Sequence, residues 1–326
     1  MNRNEGLEPV TEHFVRPDVR AFLDMLAANP RPVFNDELMK VIRQLPSDQM
    51  ALLDLPVGEM EIRNVAMPGP GGEIQLRLFD TRASRQPGPV VVFYHGGGFV
   101  VGSIDTHAGL AASVARALDL PVISVEYRLA PEHKWPAAPD DAEAAARWIA
   151  ENAGAFGRAF THLILCGDSA GGNLCITTAL ALRDRTAALP VLLQFPIYPK
   201  ADSSREYPSF ENFCDGYGLE KPNLAYYDIA YDADGDHPRH SPILADQSGL
   251  PPTFVVTAAL DPLRDEGRAY AAKAIEAGVQ VTYREVPGTI HGFASYRRAI
   301  PSAAADVDAI LQVARAVVEE ALAAAP

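Results

Sequence analysis

From Val90 onward the chain is marked by short, unbroken apolar runs: Val90–Tyr94, Val122–Val125, Leu163–Cys166, Val191–Phe195 and Phe254–Val256. A strand with one wet face alternates, whereas a continuous run needs cover on both faces. Between the runs, apolar residues recur at helical spacing over about His107–Leu118, Pro139–Glu151, Ser169–Arg183, Leu263–Ala277 and Ala303–Leu322. Strands alternating with helices predict a parallel sheet with helices on both faces. Upstream the period changes: Met60–Val65 and Glu73–Leu78 alternate with period two, with Pro68–Gly72 as the turn. That pair predicts an antiparallel hairpin at a sheet edge. An eighth strand, Gln280–Val286, follows Gly278. The expected fold is therefore α/β, with about eight strands: two antiparallel, then six parallel.

Two stretches break this rhythm. Val19–Ala27 and Glu37–Leu45 are helical in spacing but bounded by Pro30, Pro32 and Pro46, and neither has enough apolar face to fold alone. Residues 199–245 hold five prolines interleaved with Tyr207, Phe210, Phe213, Tyr217, Tyr226, Tyr227 and Tyr231. A stretch this long without strand character reads as a lid or binding element.

Length and charge narrow the classes. At 326 residues with 48% hydrophobic residues, the chain can bury one large core. A net charge of −14 argues against nucleic acid or an anionic membrane as partner. No run approaches the roughly 18 apolar residues of a membrane span, and Met1–Gly6 opens no signal peptide. Three cysteines at unpatterned spacing (Cys166, Cys175, Cys214) suit free thiols in a reducing compartment, so the cytoplasm is the expected location.

The chemistry concentrates where runs end. Leu163–Cys166 leads into Gly167-Asp168-Ser169-Ala170-Gly171-Gly172, and a helix follows. A sharp strand-to-helix turn around a central serine is a nucleophile elbow, with small residues two before and two after it. The hydroxyl of Ser169 would stand at a helix N-terminus, where N–H groups favour negative charge. Alone, the motif also describes an ordinary glycine-rich turn. His95-Gly96-Gly97-Gly98 directly follows Val90–Tyr94, and such a run can present backbone N–H donors as an oxyanion hole together with the N–H of Ala170. Asp261 follows the Phe254–Val256 strand, where sites of open α/β sheets cluster, although it could also cap the helix begun at Pro262. Asp265, one turn further, is the alternative acid. Among eight histidines, only His95 and His291 lie at strand ends beside glycine. His237 and His240 suggest loop residues, since no third metal ligand accompanies them. Ser169, Asp261, His291 is the order serine, acid, histidine found in α/β-hydrolases.

Four co-ordered motifs resemble the bacterial hormone-sensitive-lipase-like esterases (family IV), a branch of the α/β-hydrolase superfamily. They are His95–Gly98, Gly167–Gly172, Asp261–Glu266 and His291–Phe293; Glu126–His133 also resembles the family's loop after the fourth strand. The likeness spans roughly residues 60–325. It implies Ser169 as nucleophile, His291 as base, Asp261 as its orienter, and oxyanion donors on Gly97, Gly98 and Ala170. It also implies a helical cap, placed here at residues 1–55 and 199–245 over a core of 56–198 and 246–326. Lys134-Trp135 departs from the family's more usual Pro-Phe and is expected to reshape a wall of the site. The implied activity is serine carboxylesterase action on short- to medium-chain acyl esters, needing no metal or organic cofactor. Amide or lactone hydrolysis, or acyl transfer, could use the same three residues. A non-catalytic receptor on this fold is disfavoured by the presence of His291. The likeness further suggests a homodimer through an edge strand.

Overall fold

The structure is a computed structural model that describes residues 13–30, 32–44 and 52–325. The eight strands are β1 Glu61–Gly69, β2 Gly72–Asp80, β3 Gly88–Tyr94, β4 Val122–Val125, β5 Phe160–Asp168, β6 Val191–Ile197, β7 Thr253–Leu260 and β8 Val281–Ile290. Among the described residues they form one sheet in the order β1-β2-β4-β3-β5-β6-β7-β8. β1 and β2 pair antiparallel, β2 meets β4 antiparallel, and β3 to β8 are mutually parallel. This is the mostly parallel sheet with an antiparallel edge hairpin that the apolar pattern predicts.

The inner parallel strands β3 to β7 are largely buried on both faces and their residues divide by parity, whereas the edge strand β8 leaves Tyr283 38% exposed. Val90, Val92 and Tyr94 face one core, with Leu163, Leu165 and Val255 beside them. Val91 and Phe93 face the other, with Ile164, Cys166, Phe254 and Val256. The first core is roofed by α4 (Ala137–Glu151), α5 (Ala170–Asp184) and α8 (Arg264–Glu276); the second by α3 (Ala108–Leu118) and α9 (Pro301–Ala324). A single period-two strand thus feeds two layers, so neither face tolerates a polar run.

Several boundaries differ from the sequence reading. β8 runs to Ile290, four residues past the expected end, so His291 follows the strand directly. Its pairing with β7 slips between Ala258 and Leu260, because Val286 pairs with Ala258 while Ile290 pairs with Leu260. Pro287, which has no N–H to donate, and Gly288, at φ +68°, occupy the bulge. β5 begins three residues earlier than expected, at Phe160, and ends at Asp168.

The two N-terminal helices pack on different cores, α1 on the second and α2 on the first. α1 (Pro17–Ala28) buries Val19, Phe22 and Leu23 among residues that include Ile290 and Phe293. α2 (Asp36–Gln44) buries Met39, which is 1% exposed. The expected segment 1–55 includes residues 1–12, 31 and 45–51, which lie outside the described residues, as does Leu45 at the end of the second expected helix. Within 199–245 the chain forms α6 (Pro208–Phe213), α7 (Lys221–Tyr231) and a short 3-10 turn, Pro242–Leu244. Asp54 and Arg297, both 3% exposed, tie the segment before β1 to the one after β8 through Nε–Oδ1 at 2.5 Å and Nη2–Oδ2 at 2.8 Å. Among the described residues no helix is long and apolar enough to cross a membrane.

Candidate active site

Four strand ends converge on one point. β5 delivers Ser169, which sits between β5 and α5 at φ +55° and ψ −116°, a left-handed angle rare for a side chain with a Cβ. The surrounding structure holds it there. The Ser169 N–H donates to the Ile197 carbonyl at 2.9 Å, and the Ser169 carbonyl accepts from Asn173 N–H at 3.1 Å. Gly171 cannot be larger, because a Cβ there would stand 1.9 Å from the Tyr94 carbonyl oxygen. The hydroxyl makes no capping bond to α5, so it remains available to another partner.

That partner is His291. Its Nε2 lies 2.8 Å from Ser169 Oγ, and its Nδ1 lies 2.7 Å from Asp261 Oδ2. Asp261 is fully buried at the end of β7, and its Oδ1 accepts the Leu263 N–H at 2.7 Å. One oxygen of Asp261 thus faces the imidazole and the other accepts an N–H just before α8, whose N-cap is Leu263 and not Asp261 as the sequence allowed. Asp265 points elsewhere, toward Ser209 N–H, Arg264 and Arg268.

The glycine loop after β3 flanks the same point. Gly97 and Gly98 line a cavity of about 360 Å³ together with Ser169 and His291. Gly98, Ser169 and Ala170 also line a smaller lobe beside it. At Gly97, φ is +123° and a Cβ would stand 2.1 Å from the Val101 carbonyl oxygen, so only glycine fits. The loop is anchored from below by Asp168, whose Oδ1 accepts Gly96 N–H at 2.9 Å.

Sequence reasoning gave Asp168 and His107 no role. Here His107 Nε2 lies 3.6 Å from Asp168 Oδ1, and both residues border the larger cavity. Burial opposes charge on both. The pair's mutual attraction outweighs it, holding the imidazole above its ordinary value and the carboxyl below its own. His95 is different: burial drives it down to about 3, and its neutral ring stacks on Tyr127 at 4.2 Å. The position of Asp168, one residue before the serine and facing the glycine loop across the β3–β5 pair, was the signal available in the sequence.

Much of the remaining cavity wall is apolar and comes from outside the sheet, with Thr106, Asn223 and Ser295 as polar members. Phe22 and Leu26 of α1, Phe34 before α2, Ile42 of α2, Leu219 before α7 and Tyr227 of α7 all contribute. Phe22 and Leu26 are four apart on one helix face, a spacing that marked a stripe without saying what it covers. Lys134 and Trp135 line neither cavity. Lys134 pairs with Asp232 at 2.8 Å and Trp135 N–H donates to Tyr231 O at 3.0 Å, so they brace the end of α7 instead of forming the expected wall.

Comparison with known proteins identifies the family of the fold. Residues 91–295 match a family described as alpha/beta hydrolase fold. The chain is similar to Carboxylesterase NlhH of Mycobacterium tuberculosis, 37% identical over 302 residues covering 89% of this chain and 93% of that protein. It is also similar to Carboxylic ester hydrolase LipN of the same organism, 37% identical over 271 residues, 80% and 72% of the two chains. Among solved structures, an ester-hydrolase from the metagenome of Lake Arreo superposes with TM-score 0.85 at 39% identity, covering 93% of this chain and 98% of that one. A hyperthermophilic esterase from Pyrobaculum calidifontis gives TM-score 0.83 at 35% identity, over 93% and 99%. The chain belongs to the α/β-hydrolase family, and within it to the hormone-sensitive-lipase-like carboxylesterases.

Proposed function

We propose that this chain is a serine carboxylesterase that hydrolyses short- to medium-chain acyl esters through an acyl-enzyme on Ser169. The observation that carries the reading is the unbroken line Ser169 Oγ, His291 Nε2, His291 Nδ1, Asp261 Oδ2, with links of 2.8 and 2.7 Å, opening into a largely apolar cavity.

In this mechanism Ser169 Oγ attacks the ester carbonyl carbon while His291 Nε2 takes its proton. Asp261 holds the imidazole in the tautomer with hydrogen on Nδ1 and stabilises the imidazolium that forms. The carbonyl oxygen, now an anion, meets the N–H groups of Gly97, Gly98 and Ala170. Fixed donors of this kind are worth on the order of 10²–10³ each in rate. His291 returns its proton to the departing alcohol, and water repeats the sequence on the acyl-enzyme. A cavity of about 360 Å³ accommodates on the order of ten groups at about 30 Å³ each, which suits a short or medium acyl chain. The described parts of α1 and α2, together with 199–245, act as the cap that closes this cavity.

The test is a series of p-nitrophenyl esters of increasing acyl length, run with wild type and Ser169→Ala. Wild type should turn over the shorter members, and the variant should lose at least about 10⁴-fold in kcat. Hydrolysis at an unchanged rate in Ser169→Ala would remove the nucleophile from the scheme.

A further inference from the structure

Ser169 borders two cavities. The smaller lobe, of about 50 Å³, is separated from the larger by Gly98, Leu219 and Tyr227, which line both. At roughly 30 Å³ per water-sized group, it takes a short arm and not a chain. Its wall is not apolar throughout: Lys200, just after β6, Asp228 on α7 and His240, just before the 3-10 turn, all line it.

Each of these three has unspent hydrogen-bonding capacity. The His240 ring is 5% exposed, yet its Nδ1 has no hydrogen-bond partner. Burial first, and then Lys200, pushes that ring down to about 4, so it is neutral. Asp228 is exposed and stands at the rim of the lobe, its carboxyl open to water. Although the residue is exposed, protein atoms crowding its carboxyl raise its pKa against the opposing pull of Lys200. The Lys200 ammonium lies 3.6 Å from Glu266 Oε1 and donates to the Asp202 carbonyl at 3.4 Å, both long contacts.

Elimination then identifies what fits. An alkyl arm would strip water from Lys200 and Asp228 and offer the His240 ring no polar contact. A carboxylate would be repelled by Asp228, and an ammonium by Lys200. A hydroxyl accepts through its oxygen and donates through its hydrogen, so it can serve an acidic, a basic and a neutral neighbour together. We infer that the smaller lobe selects esters bearing a hydroxyl on a short arm, with Lys200, Asp228 and His240 as the residues that recognise it. This rests on Ser169 being the nucleophile, and the hydroxyl can belong to the acyl or the alcohol part of the ester.

Two isosteric pairs separate those sources. Ethyl 3-hydroxybutanoate against ethyl 3-methylbutanoate places the hydroxyl in the acyl part; 2-hydroxyethyl butanoate against propyl butanoate places it in the alcohol. Wild type should favour the hydroxylated member of one pair by at least about tenfold in kcat/KM, since a lobe built for a hydroxyl penalises the analogue lacking it. Asp228→Leu, on an exposed turn of α7, and separately His240→Phe, should each bring that ratio down several-fold. A wild-type ratio near one in both pairs overturns the inference, as does a ratio that neither substitution moves. p-Nitrophenyl butanoate with Ser169→Ala runs alongside: Ser169-dependent turnover with flat ratios defeats the lobe assignment alone, whereas turnover independent of Ser169 defeats the proposed function itself.

Discussion

Replacing Asp261 by asparagine changes one atom and should disable the site without unfolding it. The reason lies in the second oxygen of the carboxylate. Asp261 Oδ1 accepts the Leu263 N–H at 2.7 Å while Oδ2 faces His291 Nδ1 at 2.7 Å. In Asp261→Asn the amide must choose. If its oxygen keeps the Leu263 N–H, its NH2 points at Nδ1, which must then accept a hydrogen bond. The proton moves to Nε2, toward Ser169 Oγ, and the imidazole can no longer act as base. The opposite rotamer would set the NH2 against the Leu263 N–H, donor against donor, at a residue that is fully buried. An unsatisfied buried donor costs about 1–3 kcal/mol, so the inactive arrangement is the stable one. The expected loss is about 10⁴-fold in kcat, or about 5 kcal/mol of transition-state stabilisation at 1.36 kcal/mol per decade. The assay is kcat and KM on p-nitrophenyl butanoate beside thermal unfolding of the same preparation. A variant within tenfold of wild type in kcat, at unchanged melting temperature, would refute the orienting role of Asp261.

Gly97→Ala should lower kcat by about 10²–10³-fold, because a Cβ at φ +123° would sit 2.1 Å from the Val101 carbonyl oxygen and push the loop off its donors; kinetics at wild-type level would place the donors elsewhere. Arg297→Met leaves the Asp54 carboxylate buried without its partner and should cost about 3–5 kcal/mol; urea unfolding showing a loss below 1 kcal/mol would count against that pair as a fastening. Glu266, 3% exposed, is pushed by burial up to about 7 despite Lys200 and the Ala201 and Asp202 N–H groups. The folded state thus holds a proton that the unfolded state has lost between about pH 4.5 and 7, and the stability this group contributes is present below that window and lost as pH rises through it. The change should approach about 3 kcal/mol at 1.36 kcal/mol per unit, so unfolding curves at pH 5 and pH 8 should differ more in wild type than in Glu266→Gln, and equal slopes would contradict the assignment.

Most of the sheet was legible because its signals are local. An unbroken apolar run such as Val90–Tyr94 states by itself that both faces are covered, and the parity split between the two cores follows from the pleat. The elbow was legible for the same reason. Gly167, Ser169 and Gly171 carry their backbone demands in their own identities, and the strand and helix on either side are adjacent in the chain. Boundaries were less so: the bulge at Pro287 and Gly288 extends β8 to Ile290 only because β7 lies beside it.

Residue type and order thus determined the architecture, the serine turn, the glycine loop and a short set of candidate partners. Which partners meet was decided by the folded chain. Asp261 and Asp265 differ by one helical turn, and only the packing of α8 sends one carboxylate to His291 and the other to Ser209 and the arginines. The pairing of Asp168 with His107, the cavity wall from Phe22, Leu26 and Ile42, and the polar lobe of Lys200, Asp228 and His240 join residues tens to hundreds of positions apart. Periodicity reports the surroundings of a residue along its own element. It carries no record of which distant surface closes over it, and a reaction centre is made of such closures.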